Sequence, residues 1–191
     1  IIENAAMEPE IVDLCNFLSQ LGVLFEGLGT PTLKVTGIDL NEDVNIEYNI
    51  IPDRIEAGTF MIASAATGGN ITLNNVEPNH LKSVIDVLEK SGTTFKISKN
   101  TISMISENDI KAVDVTTDIY PGFPTDLQAQ WIALMILSEG KSSVTDSIYL
   151  DRFTHVPELI RLGADISMDG NIASIIGVNK LFGTQVMSTD I

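Results

Sequence analysis

Two stretches of the chain, residues 53–66 and 126–137, are apolar on every side. A helix without a polar face has to be buried, so both stretches are predicted to be inner helices. Residues 8–21 and 79–91 have one apolar side, which is typical of helices that cover a core. Short segments of alternating polar and apolar residues follow them and predict hairpin strands with one face in water. The pattern therefore places helices inside and sheets outside.

Glycines at regular intervals indicate that this pattern is repeated. Gly22, Gly92 and Gly163 each follow a helical stretch at nearly equal separations along the chain, and each is typical of the residue that ends a helix. Pro52 and Pro124, which are separated by almost the same length of chain, open the two apolar helices. We predict an α/β (α+β) fold of repeated β-α-β-α-β-β units. The repeats are a partial one at 1–37, near-complete ones at 45–106 and 112–177, and the start of another at 178–191.

Both ends of the chain fall inside this repeat. Residues 1–4 occupy the position of a strand in the middle of a unit, and residues 188–191 occupy the position where a third apolar helix begins. We therefore expect the 191 residues to form one domain that is a fragment of a longer protein.

The start of the second apolar helix is the most informative local feature. A proline-bounded loop leads into Thr125, Asp126 and Gln128, which have the spacing of an N-cap hydroxyl, a first-turn carboxylate and a capping-box glutamine. This places Asp126 at the end of a buried helix, beside free backbone N–H groups, where a ligand can reach it. The alternative is that Asp126 only complements the helix dipole.

The composition limits the classes of function. The net charge is −15, from 26 acidic and 11 basic residues, and this argues against nucleic acids and anionic membranes as partners. The longest uncharged apolar run, residues 131–137, is far shorter than the ~20 residues that span a membrane. A single cysteine favours a reducing compartment, and we expect the cytoplasm. His80 and His155 lie apart without other ligands at suitable spacing, so neither a metal site nor a cofactor is expected.

Five segments in a shared order resemble the UDP-N-acetylglucosamine 1-carboxyvinyltransferases, a family of enolpyruvyl transferases. The segments are residues 2–6 with 8–10, 52–56, 123–130, 151–158 and 185–190. The resemblance covers essentially the whole chain and is to the middle of those enzymes. It implies an inside-out α/β barrel, with buried inner helices and outer solvent-facing sheets, in the catalytic-type domain of a longer two-domain enzyme. It also implies that the missing N-terminal domain of the same enzyme is a partner.

The resemblance implies a reaction and its central residues. The family transfers the enolpyruvyl group of phosphoenolpyruvate to the 3′-hydroxyl of UDP-N-acetylglucosamine, which is the first committed step of peptidoglycan synthesis. Asp126 matches the catalytic aspartate, which lies beside that hydroxyl and both orients it and accepts its proton. Ile148 matches the residue whose backbone holds the sugar nucleotide.

Further candidates for substrate binding are less specific: Thr125, Tyr149, Arg152, Arg54 and Glu8. Arg152 matches an arginine near the site, and the alternative is a surface ion pair with Asp151 or Glu158. Tyr149 lies beside the nucleotide-binding position. For the threonine, a helix cap is the alternative. Arg54 and Glu8 stand at helix starts, where a local structural role is the expected alternative.

Cys15 does not match the catalytic cysteine of the family. It lies on the apolar side of the helix at 8–21, where thiols are unreactive, and we expect a packing residue. The family's catalytic cysteine, its phosphoenolpyruvate-binding lysine and several arginines belong to stretches absent from this chain. Three arginines in a chain of charge −15 cannot neutralise two anionic substrates. The chain alone is therefore expected to be inactive.

Two other functions remain open from the residues. One is a 3-phosphoshikimate 1-carboxyvinyltransferase-like enzyme, which the lack of a dense basic cluster disfavours. The other is a non-catalytic, repeat-built binding module, which the acidic composition and the periodicity allow. An Asp126→Ala substitution distinguishes the module from a transferase, because only the transferase loses turnover.

Overall fold

The computed structural model describes residues 1–39, 45–107 and 109–188. Contacts divide the chain into two compact units: Ile1–Pro52 with Ile119–Pro121, and Asp53–Asp118 with Gly122–Ile191. The predicted partial repeat at 1–37 lies in the first unit. That all the repeats form one domain stays a prediction. The predicted helix start at 188–191 lies outside the described residues, apart from Ser188.

The first unit contains one helix and three strands: β1 (Ile2–Glu3), α1 (Pro9–Gln20), β2 (Leu24–Glu26) and β3 (Thr32–Thr36). The strands form an antiparallel sheet in the order β1-β3-β2. Gly22 follows α1 with a φ of 100°. This left-handed conformation, which glycine adopts without strain, turns the chain from α1 into β2.

Residues 45–52, which were expected to open the second repeat with a strand, form none. Tyr48 instead packs its ring edge-on against Phe17 of α1, with 5.4 Å between ring centroids. The Tyr48 hydroxyl also donates a hydrogen bond to the Asp13 carboxylate at 2.7 Å. Side-chain contacts with α1 therefore hold this segment, and a strand ladder does not.

The second unit carries the rest of the predicted elements: α2 (Arg54–Ala66), β4 (Asn70–Asn74), α3 (Lys82–Lys90), β5 (Thr94–Ser98), β6 (Thr101–Ile105), β7 (Val115–Thr116), α4 (Gln128–Met135), β8 (Lys141–Thr145), α5 (Val156–Arg161), β9 (Asp165–Asp169) and β10 (Ile172–Ile176). A 3-10 turn at Pro78–Leu81 precedes α3, and another at Thr125–Leu127 precedes α4. Gly92 and Gly163 have φ values of 109° and 99°, so the predicted helix ends are confirmed. No helix among the described residues is long and apolar enough to cross a membrane.

The strands of the second unit form two sheets with the orders β4-β6-β5 and β7-β8-β10-β9. All neighbours are antiparallel except β7 and β8, which are parallel. Ile102 of β6 and Ala173 of β10 are completely buried on the inner faces of the sheets. On the opposite face of β4 and β6, Thr72 and Ser103 are hydrogen-bonded to each other at 3.0 Å in an exposed position. The sheets therefore cover the core on one side and face water on the other.

The two apolar helices are buried to different extents. Four side chains of α4 have no exposed surface: Trp131, Ile132, Leu134 and Met135. Helix α2 packs against α4, but Phe60 on its other side is 52% exposed. The prediction that both helices are buried on every side is confirmed for α4 and wrong for α2, because only the face of α2 that includes Met61 is covered.

The start of α2 follows its predicted capping pattern. The Asp53 carboxylate accepts hydrogen bonds from the backbone N–H groups of Ile55 and Glu56, at 2.7 and 3.0 Å. These contacts satisfy two donors that a helix start otherwise leaves unpaired. The side chain of Asp53 is therefore engaged with its own helix.

Candidate active site

The start of α4 is built differently from the predicted capping box. Pro124 is the N-cap of the turn before α4, so Thr125 lies inside the turn, where its hydroxyl cannot cap the helix. The Thr125 hydroxyl donates instead to Asp146 Oδ2 at 2.7 Å. The Gln128 side chain donates to the carbonyl oxygen of Arg152 at 3.4 Å. The capping-box prediction is therefore wrong, and both polar side chains connect the helix start to the loop after β8.

Asp126 is the accessible acid at this helix start. Its side chain is 47% exposed, and its Oδ1 lies 2.9 Å from Nη1 of Arg152. The same Arg152 nitrogen donates to the Thr125 hydroxyl oxygen at 3.3 Å. One guanidinium nitrogen therefore contacts both residues, which fixes the direction of the carboxylate while leaving part of it open to solvent.

Arg152 is more enclosed than a surface ion pair requires. Its side chain is 19% exposed, and its guanidinium carbon lies 5.4 Å from the centroid of the Tyr149 ring, a cation–π distance. The ion pair that Glu158 forms is with Arg161, at 3.5 Å. The structure thus pairs Arg152 with Asp126 and places Tyr149 against it.

Asp146 lies at the centre of the site, and the sequence did not single it out. It has no exposed surface. Its Oδ1 accepts hydrogen bonds from the Thr117 hydroxyl at 2.7 Å and from the backbone N–H groups of Ile148 and Tyr149, both at 2.9 Å. Its Oδ2 accepts the Thr125 hydroxyl. One buried carboxylate therefore joins the end of β7, the start of α4 and the loop after β8.

The sheet explains why these groups meet. Strands β7 and β8 are parallel, with Thr116 opposite Thr145, so Thr117 and Asp146 emerge side by side at the same edge. The backbone of Asp146 is fixed from the other side, because its N–H donates to the carbonyl oxygen of Asn171 at 3.0 Å. The Asn171 side chain in turn donates to the Asp146 carbonyl oxygen at 2.8 Å.

The hydrogen bonds keep Asp146 ionised in spite of its burial. Burial raises the pKa of the Asp146 carboxyl, but the bonds from the Tyr149 N–H, the Thr125 and Thr117 hydroxyls and the Ile148 N–H together lower it below its ordinary value. Every one of these groups donates a hydrogen bond to the carboxylate. An ionised aspartate, which can only accept, matches this environment.

His155 is the N-cap residue of α5 and lies close enough to Arg152 to be affected by its charge. Its ring stacks on Phe153 with 6.4 Å between centroids, and neither ring nitrogen has a hydrogen-bond partner among the described residues. Burial lowers the pKa of His155, and the nearby charge of Arg152 lowers it further. His155 therefore behaves as a neutral packing residue.

The other sequence candidates belong to other helices. Arg54 is the first residue of α2 and is half-buried. Glu8 and Cys15 belong to the first unit, where Glu8 precedes α1 without capping it by its side chain. Cys15 is 4% exposed, and burial raises the pKa of its thiol. Among the residues that the structure describes, no group of His, Cys, Asp and Glu side chains could hold a metal ion.

Asp146 could have been found from one local signal. It is an aspartate directly after a strand, and it accepts N–H groups two and three residues further on, as Asp53 does at the start of α2. This is the hydrogen-bonding habit of aspartate in turns. The contacts with Thr117 and Thr125, 29 and 21 residues away, have no local signal.

Comparisons with known proteins extend over the whole chain. The sequence profile of the EPSP synthase (3-phosphoshikimate 1-carboxyvinyltransferase) family matches residues 1–191. Proteins named UDP-N-acetylglucosamine 1-carboxyvinyltransferase are 47% identical in Thermotoga petrophila and 48% identical in Thermodesulfovibrio yellowstonii, over 191 residues in each case. Each match includes all of this chain but 45% and 46% of the relative. The chain thus spans about half the length of these curated relatives.

Solved structures share the fold at lower identity. The enolpyruvyl transferase NikO from Streptomyces tendae superimposes with a TM-score of 0.78 at 21% identity, over 92% of this chain and 42% of that one. EPSP synthase from Acinetobacter baumannii gives 0.54 at 17% identity, over 91% and 40%. These likenesses confirm the predicted α/β fold class.

Proposed function

The chain belongs to the EPSP synthase (3-phosphoshikimate 1-carboxyvinyltransferase) family, and from this premise we propose that the protein containing it transfers the enolpyruvyl group of phosphoenolpyruvate to the 3′-hydroxyl of UDP-N-acetylglucosamine. The observation that carries the proposal is the 47% identity, over the full chain, to a protein named UDP-N-acetylglucosamine 1-carboxyvinyltransferase. The reaction would open peptidoglycan synthesis. The single cysteine agrees with a cytoplasmic enzyme.

Asp126 is the proposed catalytic residue. In the addition the O–H bond of the acceptor breaks, a C–O bond forms to C2 of phosphoenolpyruvate, and C3 gains a proton. In the elimination C3 loses a proton, the C2–C3 double bond re-forms, and the C–O bond to phosphate breaks. The hydroxyl proton passes to the Asp126 carboxylate and leaves overall with inorganic phosphate. The half-exposed carboxylate, held in direction by Arg152, suits this role, since a general base has to reach the hydroxyl and keep one orientation.

The loop after β8 is the proposed binding site of the sugar nucleotide. The N–H of Ile148 already donates to Asp146, so a ligand contact from the Ile148 backbone would use its carbonyl oxygen. Tyr149 presents an exposed ring beside Arg152, and Thr125 is a positioning residue between Arg152 and Asp146. Glu8 and Arg54 stay predictions of possible substrate contacts.

A second candidate function is the transfer of the same group to shikimate 3-phosphate. The description of the family profile favours it, as does the fold shared with EPSP synthase. The A. baumannii enzyme is only 17% identical to this chain. The identity of 47% to the UDP-N-acetylglucosamine enzymes therefore makes the sugar nucleotide the better candidate acceptor.

The remaining segments of the enzyme are proposed to complete the site. The net charge of −15 is unsuited to two anionic substrates, so basic groups from a further domain have to neutralise them. We propose that the 191-residue chain is inactive alone and that the N-terminal domain of the same enzyme is its partner.

The test is release of inorganic phosphate by the full-length protein with phosphoenolpyruvate and one of the two acceptors. We expect release that depends on UDP-N-acetylglucosamine, with negligible release for shikimate 3-phosphate. Turnover of shikimate 3-phosphate alone would support the second candidate. No turnover of either acceptor by folded protein would contradict both.

A further inference from the structure

We propose that Asp146 is a positioning residue that sets the separation between Asp126 and the backbone of Ile148, and so couples proton transfer to binding of the acceptor. This inference rests on the proposed function, because it concerns the geometry of that site. Asp146 itself has no exposed surface and touches no substrate. It acts through the groups that it holds.

The two carboxylate oxygens hold the two sides of the site. Oδ2 accepts the Thr125 hydroxyl at 2.7 Å, and the oxygen of that hydroxyl receives Nη1 of Arg152 at 3.3 Å. The same Nη1 contacts Asp126 at 2.9 Å. A chain of three polar contacts thus leads from Asp146 to the acid.

The other oxygen holds the loop that carries the proposed nucleotide contact. Oδ1 accepts the N–H groups of Ile148 and Tyr149, both at 2.9 Å. These bonds orient the backbone of the two residues and so aim the carbonyl oxygen of Ile148. Because one rigid carboxylate serves both sides, a displacement of either side is transmitted to the other.

Only an ionised aspartate satisfies all of these groups. Oδ1 accepts three hydrogen bonds and Oδ2 accepts one. An asparagine can keep an oxygen toward the three donors, but its amide N–H₂ then faces the Thr125 hydroxyl and can only donate. The Asp146→Asn variant thus keeps the shape of the side chain while reversing one bond and removing the charge.

The second repeat lacks this connection. Asn75, which takes the place of Asp146 in that repeat, is exposed, and Asp53, which takes the place of Thr125, caps its own helix. The repeat unit is therefore stable without a carboxylate that bridges strand and helix. In the third repeat the bridge coincides with the residues proposed for catalysis, which favours a role in the site over a role in the fold.

The test is steady-state kinetics of the full-length Asp146→Asn variant. We expect the KM for UDP-N-acetylglucosamine to rise about tenfold, the effect of one lost charged hydrogen bond, and kcat/KM to fall about 100-fold, since both sides of the site move. A merely structural role would lower kcat in proportion to the unfolded fraction and leave KM unchanged, and that result would overturn the proposal.

Asp114→Asn is the matched control. The Asp114 carboxylate also accepts two hydrogen bonds on β8, from the N–H and hydroxyl of Ser143 at 2.6 and 3.0 Å, but it is exposed and lies outside the site. We expect its kinetics to match those of the wild type. An equal rise of KM in both variants would assign the effect to β8 in general and overturn the proposal.

Variants of Thr125 test the positioning role of Asp146 if Asp146→Asn does not fold. Thr125→Ser keeps the hydroxyl and is expected to retain kcat within about threefold, whereas Thr125→Val is expected to lose about tenfold. Equal kinetics of the two would overturn the proposal.

Amide exchange of Ile148 and Tyr149 needs no substrate, so it tests the positioning by Asp146 separately from the proposed function. Loss of protection in Asp146→Ala, which removes both oxygens, supports the positioning even if the wild type turns over neither acceptor, a result that would contradict the proposed function alone.

Discussion

The second and third repeats use the same length of chain in different ways. The stretch from Gly69 to Gly92 is as long as the stretch from Gly140 to Gly163. In the second repeat a 3-10 turn at Pro78–Leu81 runs directly into α3. In the third repeat helix α5 starts only at Val156, and the preceding residues form the loop that carries Arg152. Tyr149 and Arg152 thus occupy the positions of Pro78 and Leu81, which form the 3-10 turn of the second repeat.

Proline explains the late start of α5. Pro157 takes the place that Asp86 has in the second repeat, and Asp86 lies in the middle of α3. A proline is tolerated only in the first turn of a helix, because it lacks an N–H and its ring clashes with the preceding turn. The helix therefore cannot extend further back. The counterparts of Lys82–Val84, the first three residues of α3, therefore lie before the helix in the third repeat.

The starts of the inner helices differ in the same way. Asp53 directs its carboxylate to the N–H groups of its own helix. Thr125 donates to Asp146 instead, and the next residue, Asp126, stays partly exposed. The first arrangement stabilises a helix, and the second presents an acid to solvent.

The largest expected effect comes from Asp126→Ala. General acid–base groups typically contribute about 10²–10⁴-fold, so we expect kcat to fall about 1,000-fold. The thermal midpoint of unfolding should change little, because the side chain is 47% exposed. Phosphate release and thermal unfolding of the full-length protein measure the two quantities. A loss of less than about tenfold would contradict the proposed role of Asp126 and leave the two helix starts equivalent.

Arg152→Lys is expected to have the next largest effect. An ammonium group cannot reproduce the planar guanidinium that contacts Asp126 and Thr125 and lies beside Tyr149. We expect kcat/KM to fall about tenfold, the equivalent of one charged hydrogen bond. Arg161→Lys is the matched control, since Arg161 forms an exposed ion pair with Glu158 and should leave kcat/KM unchanged. Equal results for both arginines would remove Arg152 from the site.

Asp53→Ala should lower the stability and leave the activity unchanged, which is the opposite of the result expected for Asp126→Ala. Loss of an N-cap typically costs about 1 kcal/mol of stability, and the Asp53 carboxylate caps two backbone N–H groups. The kcat/KM of the folded protein should equal that of the wild type. Denaturant unfolding and steady-state kinetics test both expectations. A specific kinetic loss with unchanged stability would place the second repeat in the site as well.

The smallest expected effect is a pH dependence of stability from His155. The pKa of His155 is lower in the folded protein than its unfolded value of about 6.5. The unfolded chain therefore binds the proton more readily, and the free energy of unfolding falls as the pH decreases through about 6.5. The second repeat has Val84 at this position, 2% exposed.

The His155→Val variant copies the second repeat and tests this difference. We expect the slope of stability between about pH 7.5 and 5.5 to be smaller than in the wild type. Denaturant unfolding at a series of pH values measures it. An unchanged slope would mean that other groups cause the pH dependence.

The sequence predicted the repeat well because the signals of the repeat are local. Gly22, Gly92 and Gly163 end helices in a conformation that other residues adopt only with strain, and the strands alternate with a period of two. The missing strand at 45–52 shows the limit of such signals. Whether a segment pairs as a strand depends on the surface beside it, and here Tyr48 packs on a helix.

The site was predictable only in its outline. Asp126 followed from its place at a helix start, since an acid in the first turn is recognisable from neighbouring residues. Its partner Arg152 is 26 residues away, and from the sequence Asp151 and Glu158 were nearer candidates to pair with that arginine. Asp146 was not predicted, because its role consists of contacts with donors that are distant in the sequence. The parallel pairing of β7 and β8 brings them together.

Helix α2 of the second repeat lies very close to the turn before α4 in the third repeat, and Gly58 is the residue at this contact. A methyl group added to Gly58 would come within 2.5 Å of the Leu127 side chain, which is fully enclosed and has no room to withdraw. Leu127 closes the same short turn that begins with Thr125. The absence of a side chain at Gly58 therefore lets α2 lie directly against the turn that carries Asp126.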